Sequence, residues 1–184
     1  MDDVEAIRRL KEGDIGGLEA LVVRYQVKAA RAAYFITHDE AAAEDITQET
    51  FLKLFKRIAA FDDTRPFGPY LMRSVVHAAL DHASRQNQLV SLEGNPAQVE
   101  RLLGQAALPV ESQVEYAQLK HAILSALSQL SPRQRAAVVG RYYLDLSEQE
   151  MAQLLDAPRG TVKWLLNAAR SRLRGLLVSE RSAE

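Results

Sequence analysis

No cysteine occurs in the 184 residues, which excludes disulfides and thiolate metal sites and suits a reducing compartment. Proline and glycine are sparse, at six and nine, and no alternating apolar–polar run bounded by turn residues marks a strand. No apolar stretch reaches bilayer-spanning length, and Asp2, Asp3 and Glu5 give the chain start the wrong sign for a secretory signal. The expectation is a soluble cytoplasmic protein of the all-α class. The four histidines, at 38, 77, 82 and 121, lack metal-ligand spacing, and no phosphate-binding glycine loop is present. Neither metal, cofactor nor catalysis is expected.

Charge is nearly balanced, at −1, but unevenly spread. Residues 1–60 carry −2, 61–90 are neutral, 91–119 carry −3 and 120–184 carry +4. Basic charge at the C-terminal end can neutralise phosphates. The acidic remainder points either to a partner other than nucleic acid or to solubility alone.

Apolar spacing reads as helix nearly throughout. Val4, Ile7 and Leu10 mark a short first helix ended by Gly13. Asp14 can cap a second, in which Leu18, Leu21, Val22, Tyr25, Ala29 and Ile36 share a side. Asp39 can cap a third running to about Phe61, with Ile46, Thr50, Leu54, Phe55 and Ile58 inward. After a loop at 62–68, a fourth runs from about Pro69 to Arg85. Periodicity fails between Gln86 and about Ser112, where Gly94, Asn95, Pro96, Gly104 and Pro109 intervene. That is read as a linker with at most a helical turn at Gln98–Leu103. Helix resumes near Val114, and Ser131-Pro132-Arg133-Gln134 opens another, to about Tyr143, with a capping box and proline at the first helical position.

Ser147 to Arg174 is the most informative stretch. Ser147 and Glu150 form a second capping box, and Met151, Leu154 and Leu155 give one apolar face. Asp156-Ala157-Pro158 breaks the helix. The next helix buries Val162, Leu166, Ala169 and Leu173, and carries Arg159, Lys163, Asn167, Arg170 and Arg174 on its other side. A short helix, a tight turn and a second helix with a basic stripe is the form of a helix-turn-helix, whose second helix enters the major groove. The alternative is an amphipathic helical hairpin with a solvated charged face.

Three blocks of the C-terminal half resemble the fourth region of extracytoplasmic-function (ECF) sigma factors. They are Leu127 to Arg135, Leu146 to Ala152, and Arg159-Gly160-Thr161-Val162-Lys163. Leu21 to Gln26, Asp45 to Lys53, Phe61-Asp62, Tyr70 to Arg73 and Leu80-Asp81 resemble the second region of the same family. The resemblance spans about residues 5–86 and 118–177, in the family's order. It divides the chain into a region-2-like domain at 1–86, a flexible acidic linker at 87–117, a region-4-like domain at 118–178 and a tail at 179–184.

The resemblance implies an alternative sigma factor that binds core RNA polymerase, through the clamp helices of the largest subunit and the flap of the second largest. It further implies recognition of the minus-ten and minus-thirty-five promoter elements and control by an anti-sigma factor. Activity would place the protein on the nucleoid, and an anti-sigma factor would offer a membrane tether. Asp45, Gln48, Glu49, Leu52, Lys53 and Lys56 fall on one side of the third helix and are the expected polymerase-docking set, a leucine ringed by polar groups. Asp62, Arg65, Phe67, Tyr70, Arg73, His77, Asp81 and Arg85 are the expected minus-ten set. Arg159, Thr161, Lys163, Trp164, Asn167, Arg170 and Arg174 are the expected minus-thirty-five set. The sequence departs from the family pattern at Tyr70 (commonly tryptophan) and His77 (commonly asparagine). Leu165 and Ala168 stand where arginines are usual, and Trp164 replaces a small residue. Two other readings stay open: a LuxR-like regulator, and a sigma mimic that sequesters an anti-sigma protein without binding DNA.

Overall fold

The computed structural model describes residues 1–86 and 110–181, which form eight α-helices and no strand. Helices α1 (Asp3–Lys11), α2 (Gly16–Thr37), α3 (Glu40–Lys56) and α4 (Phe67–Gln86) make the N-terminal half. Helices α5 (Val110–Ser128), α6 (Pro132–Val138), α7 (Glu148–Leu154) and α8 (Arg159–Arg181) make the C-terminal half. The all-α expectation and its two helical domains hold.

Local signals set most boundaries. Asp39 caps α3 by accepting from the Ala42 amide at 3.0 Å. Both capping boxes close: Ser131 with Gln134 at α6, Ser147 with Glu150 at α7, each satisfying two otherwise orphan amides. Asp14 acts one residue early. Its carboxylate accepts from Gly16 N at 2.8 Å, while Ile15 holds the cap position of α2 without a side-chain bond.

Five expectations are corrected. The third helix stops at Lys56, and a 3₁₀ turn, Ile58–Ala60, follows. On α3, Phe51 is buried and Phe55, expected inward, is 37% exposed, while Thr50 and Leu54 are buried as expected. The helix expected to run from Ser131 to Tyr143 ends at Val138 and continues as a π-type turn, Val139–Tyr143. Helix α5 begins at Val110, inside the stretch assigned to the linker. The suggested turn at 98–103 lies outside the described residues, and α8 runs through Arg181 into the stretch assigned to the tail.

Helices α1 and α2 touch at Gly17, where an added Cβ would lie 2.2 Å from the Ala6 carbonyl oxygen and 3.0 Å from Leu10 N. Backbone cannot yield as a side-chain tip does. Gly17→Ala is therefore expected to lower unfolding free energy by about 1–3 kcal/mol, the usual range for overpacking, measured by urea denaturation.

The two halves pack on one another. Leu21, Ile36, Leu71 and Val75 from the first, and Met151, Leu155, Val162 and Leu166 from the second, belong to one continuous apolar cluster. Polar contacts cross the same seam. Arg135, only 6% exposed, donates from Nε to the Ile36 carbonyl at 2.6 Å and from Nη1 to the Leu130 carbonyl at 2.9 Å. His77 Nε2 donates to the Leu154 carbonyl at 2.6 Å. Phe35 and Tyr143 meet edge-to-face, with ring centroids 5.2 Å apart, a favoured aromatic geometry.

Candidate nucleic-acid interface

Helix α3 presents Asp45, Gln48, Glu49, Leu52, Lys53 and Lys56 to solvent, with Leu52 54% exposed. Lys53 bonds Glu49 at 2.8 Å and holds its carboxyl below the usual range. Phe55, three residues after Leu52, adds aromatic surface to this helix, and the sequence reading missed it by assigning it inward. The opposite arc (Thr47, Thr50, Phe51, Leu54) is buried, so exposure here follows the helical period.

The turn after α3 is shaped by Asp62. Its carboxylate accepts from the Thr64 hydroxyl at 2.6 Å and the Thr64 amide at 3.0 Å, and lies 3.3 Å from Arg65. The Thr64 bonds, ahead of Arg65, lower its pKa. Phe67 is a correction: it is 2% exposed, sandwiched between the rings of Tyr25 and Phe61, each 5.8 Å away. It holds the turn onto α4 and has no surface for a base. Gly68 is required beside it, because a Cβ there would come within 2.9 Å of Tyr25 Oη.

Tyr70 is 39% exposed and tilted against Phe61 at 5.1 Å. It borders a cleft of about 770 Å³ with Lys28, Arg65 and Arg73, and the far wall is Leu144, Leu146 and Leu154 of the C-terminal half. Arg73, Asp81 and Arg85 are exposed along the same helix. His77 is half-buried and spends its Nε2 on Leu154. Tyr70, Arg73, Asp81 and Arg85 thus share an exposed arc of α4 whose central histidine is engaged by the helix-turn-helix.

In the C-terminal half, Val162, Leu165, Leu166 and Ala169 are buried, leaving the other arc of α8 to solvent. Leu165, which stands where family members usually carry an arginine, faces the core, and an arginine there would not reach a groove. Arg159, Lys163, Asn167 and Arg170 line a concavity of about 520 Å³ together with Arg141 and Glu148. Thr161, Trp164 and Arg174 are exposed on the same helix outside that lining, Trp164 at 65%. Sequence reasoning missed Arg141 and Tyr142. Arg141 donates to the Leu146 carbonyl at 2.9 Å. Tyr142 Oη accepts from Arg170 Nε at 2.8 Å, and the guanidinium lies 5.8 Å from the Tyr142 ring centre. No helical period links these π-turn residues to α8, so no sequence signal pointed to them.

The concavity is what a two-helix DNA reader requires: a short capped helix, a sharp turn at Asp156 (φ +47°) and a second helix with a basic outward arc. Two family models match this architecture: Sigma-70 region 2 over residues 21–88, and Sigma-70 region 4 over residues 120–173. The chain belongs to the ECF subfamily of RNA polymerase sigma factors. It is 28% identical over 174 residues to the ECF RNA polymerase sigma factor SigW of Bacillus subtilis, covering 91% of this chain and 92% of that one. It is 27% identical over 173 residues to the RNA polymerase sigma-H factor of Pseudomonas aeruginosa, covering 91% and 90%. Among solved structures, CnrH in complex with the cytosolic domain of CnrY has the same fold, with a TM-score of 0.67, 22% identity and coverage of 96% and 97%. So has the sigma factor RpoE in complex with the anti-sigma factor NepR from Bartonella quintana, at 0.62, 20%, and 86% and 95%. No described helix of this sigma factor is long and apolar enough to cross a membrane.

Proposed function

We propose that this sigma factor docks on core RNA polymerase through the exposed α3 face, and directs it to promoters with α4 at the minus-ten element and α8 at the minus-thirty-five element. The carrying observation is that three polar faces lie outward on three different helices, each backed by a buried apolar arc. Tyr70 stacks on an unpaired base, Arg73 and Arg85 grip phosphate, and His77 and Asp81 bond base edges. Lys163 and Arg170 contact phosphate or guanine, Asn167 suits adenine, and Trp164 suits a thymine methyl. The chain's role is choice of start site, exercised in the cytoplasm, with the bond-forming chemistry in the polymerase.

Such elements lie about 25 base pairs apart, roughly 85 Å at about 3.4 Å per step. With His77 bonded to Leu154, α4 and α7 are in contact, and one molecule does not reach both elements. The halves must therefore part. The 23 residues between α4 and α5 span at most about 80 Å when extended, enough with the domains' own width. An anti-sigma factor that stabilises the closed arrangement holds the protein inactive by population shift. The Bartonella protein forms a complex with the anti-sigma factor NepR.

Run-off transcription with purified bacterial core polymerase tests the proposal, and promoter-dependent product is expected. A LuxR-like regulator leaves the region 2 match unexplained, and a sequestering mimic gives no product. Asp45→Ala with Leu52→Ala is expected to weaken core binding by about tenfold or more, as loss of an interface centre does, read by fluorescence titration. Unchanged affinity removes α3 from the docking role.

A further inference from the structure

One acid stands among the four cations of the helix-turn-helix groove. Glu148 opens α7 and lies 3.8 Å from Arg159 Nη2 and 3.6 Å from Lys163 Nζ through the same oxygen, Oε2. Arg141 and Arg170 are the other two cations of the lining and are fixed elsewhere, Arg141 on the Leu146 carbonyl and Arg170 on Tyr142. Exposed pairs at such separations add little to stability, and the helix start does not need Glu148, because the capping box is made by Ser147 and Glu150. Neither distance is a hydrogen bond. The carboxylate therefore keeps its acceptor capacity while its charge faces both cations.

We propose that Glu148 is a specificity-determining residue of the promoter groove, acting against indiscriminate phosphate binding by Arg159 and Lys163. The proposal rests on the reading of α8 as the DNA-contacting helix. Non-specific affinity comes from cations that replace counterions on phosphates. A carboxylate between two of those cations lowers the local field for every duplex equally. Only a duplex that presents a donor recovers the loss, and in the major groove that donor is a base amino group, cytosine N4 being the usual partner of a glutamate. Discrimination is a difference of affinities and is widened by penalising the wrong partner.

Glu148→Gln is the test, since it preserves shape at a partly exposed site, and Lys163→Ala is its companion. The probes are a randomised 20-base-pair duplex pool and duplexes selected from that pool by the wild-type full-length protein, titrated at several salt concentrations. For Glu148→Gln the selected-to-pool affinity ratio is expected to fall about tenfold, chiefly because pool binding tightens, with the salt slope steeper by about 1 to 2. An unchanged ratio overturns the proposal. If Lys163→Ala weakens binding while Glu148→Gln leaves the ratio unchanged, only the role of Glu148 falls. If Lys163→Ala has no effect on affinity or salt slope, the DNA reading of α8 falls with it.

Discussion

Replacing Arg135 with methionine is expected to lower unfolding free energy by about 2–3 kcal/mol and to let the two halves separate. The guanidinium is buried without a carboxylate partner, and burial pushes its pKa down to about 10, so it remains charged at neutral pH. It is stabilised by carbonyls at the ends of two helices: Ile36 in the last turn of α2, and Leu130 just beyond α5. Both ends carry the negative pole of a helix dipole, which favours a cation there. Methionine relieves the desolvation of the charge but strands two buried carbonyls, each costing about 1–3 kcal/mol when unpaired. The bond to Leu130 is internal to the C-terminal half, whereas that to Ile36 crosses the seam. Loss of the second is what frees the halves. A lysine at 135 keeps the charge but lacks the fork that reaches both acceptors, so Arg135→Lys is expected to fall between wild type and methionine. Denaturant midpoints and the radius of gyration from X-ray scattering read the two effects. An Arg135→Met protein as compact and as stable as the wild type removes Arg135 from the closing contact.

What the sequence revealed and what it concealed divide along contact range. Asp39, Ser131 with Gln134, and Ser147 with Glu150 bond amides within three residues, so their types and spacing suffice to place helix starts. The outward arcs of α3 and α8 were legible from period 3.6, because burial of one side fixes the other. The errors lie where that period leaves two answers. Phe51 and Phe55 sit one turn apart, and only the packing of α3 decides which is buried. Leu165, left out of the expected inward set, lies three residues from Val162 and within the buried arc. The seam was illegible for a different reason. Arg135 reaches a carbonyl 99 residues away, and His77 one 77 residues away. A backbone carbonyl has no residue type, so no pattern announces that it is a partner. The same holds for Tyr142 and Arg170, brought together by a π-type turn that residue spacing does not encode.

Closure is also expected to depend on pH through His38. This residue ends α2 with φ +57° and stacks edge-on against Tyr34, with ring centroids 6.2 Å apart. Burial first, then the charge of Arg135 on α6, lower its pKa from 6.5 to about 4, partly offset by a hydrogen bond to the Leu127 backbone of α5. Its Nε2 has no hydrogen-bond partner. The folded, closed protein therefore holds His38 neutral, while an opened or unfolded chain protonates it near 6.5. Above about pH 7 both states are neutral and the residue contributes no slope. As pH falls from 6.5 toward 4 the open state binds a proton that the closed state refuses, and stability drops. At about 1.4 kcal/mol per pH unit the loss by pH 5 is about 2 kcal/mol. Every other titrating group is common to both proteins, so the informative quantity is the difference between wild type and His38→Asn between pH 7 and 5. Asparagine tolerates the left-handed backbone at a helix end and cannot titrate. The variant is expected to hold its stability over that interval while the wild type loses it. Parallel curves assign the acid sensitivity to groups other than His38. A flat wild-type curve shows that His38 takes up its proton without loosening the seam.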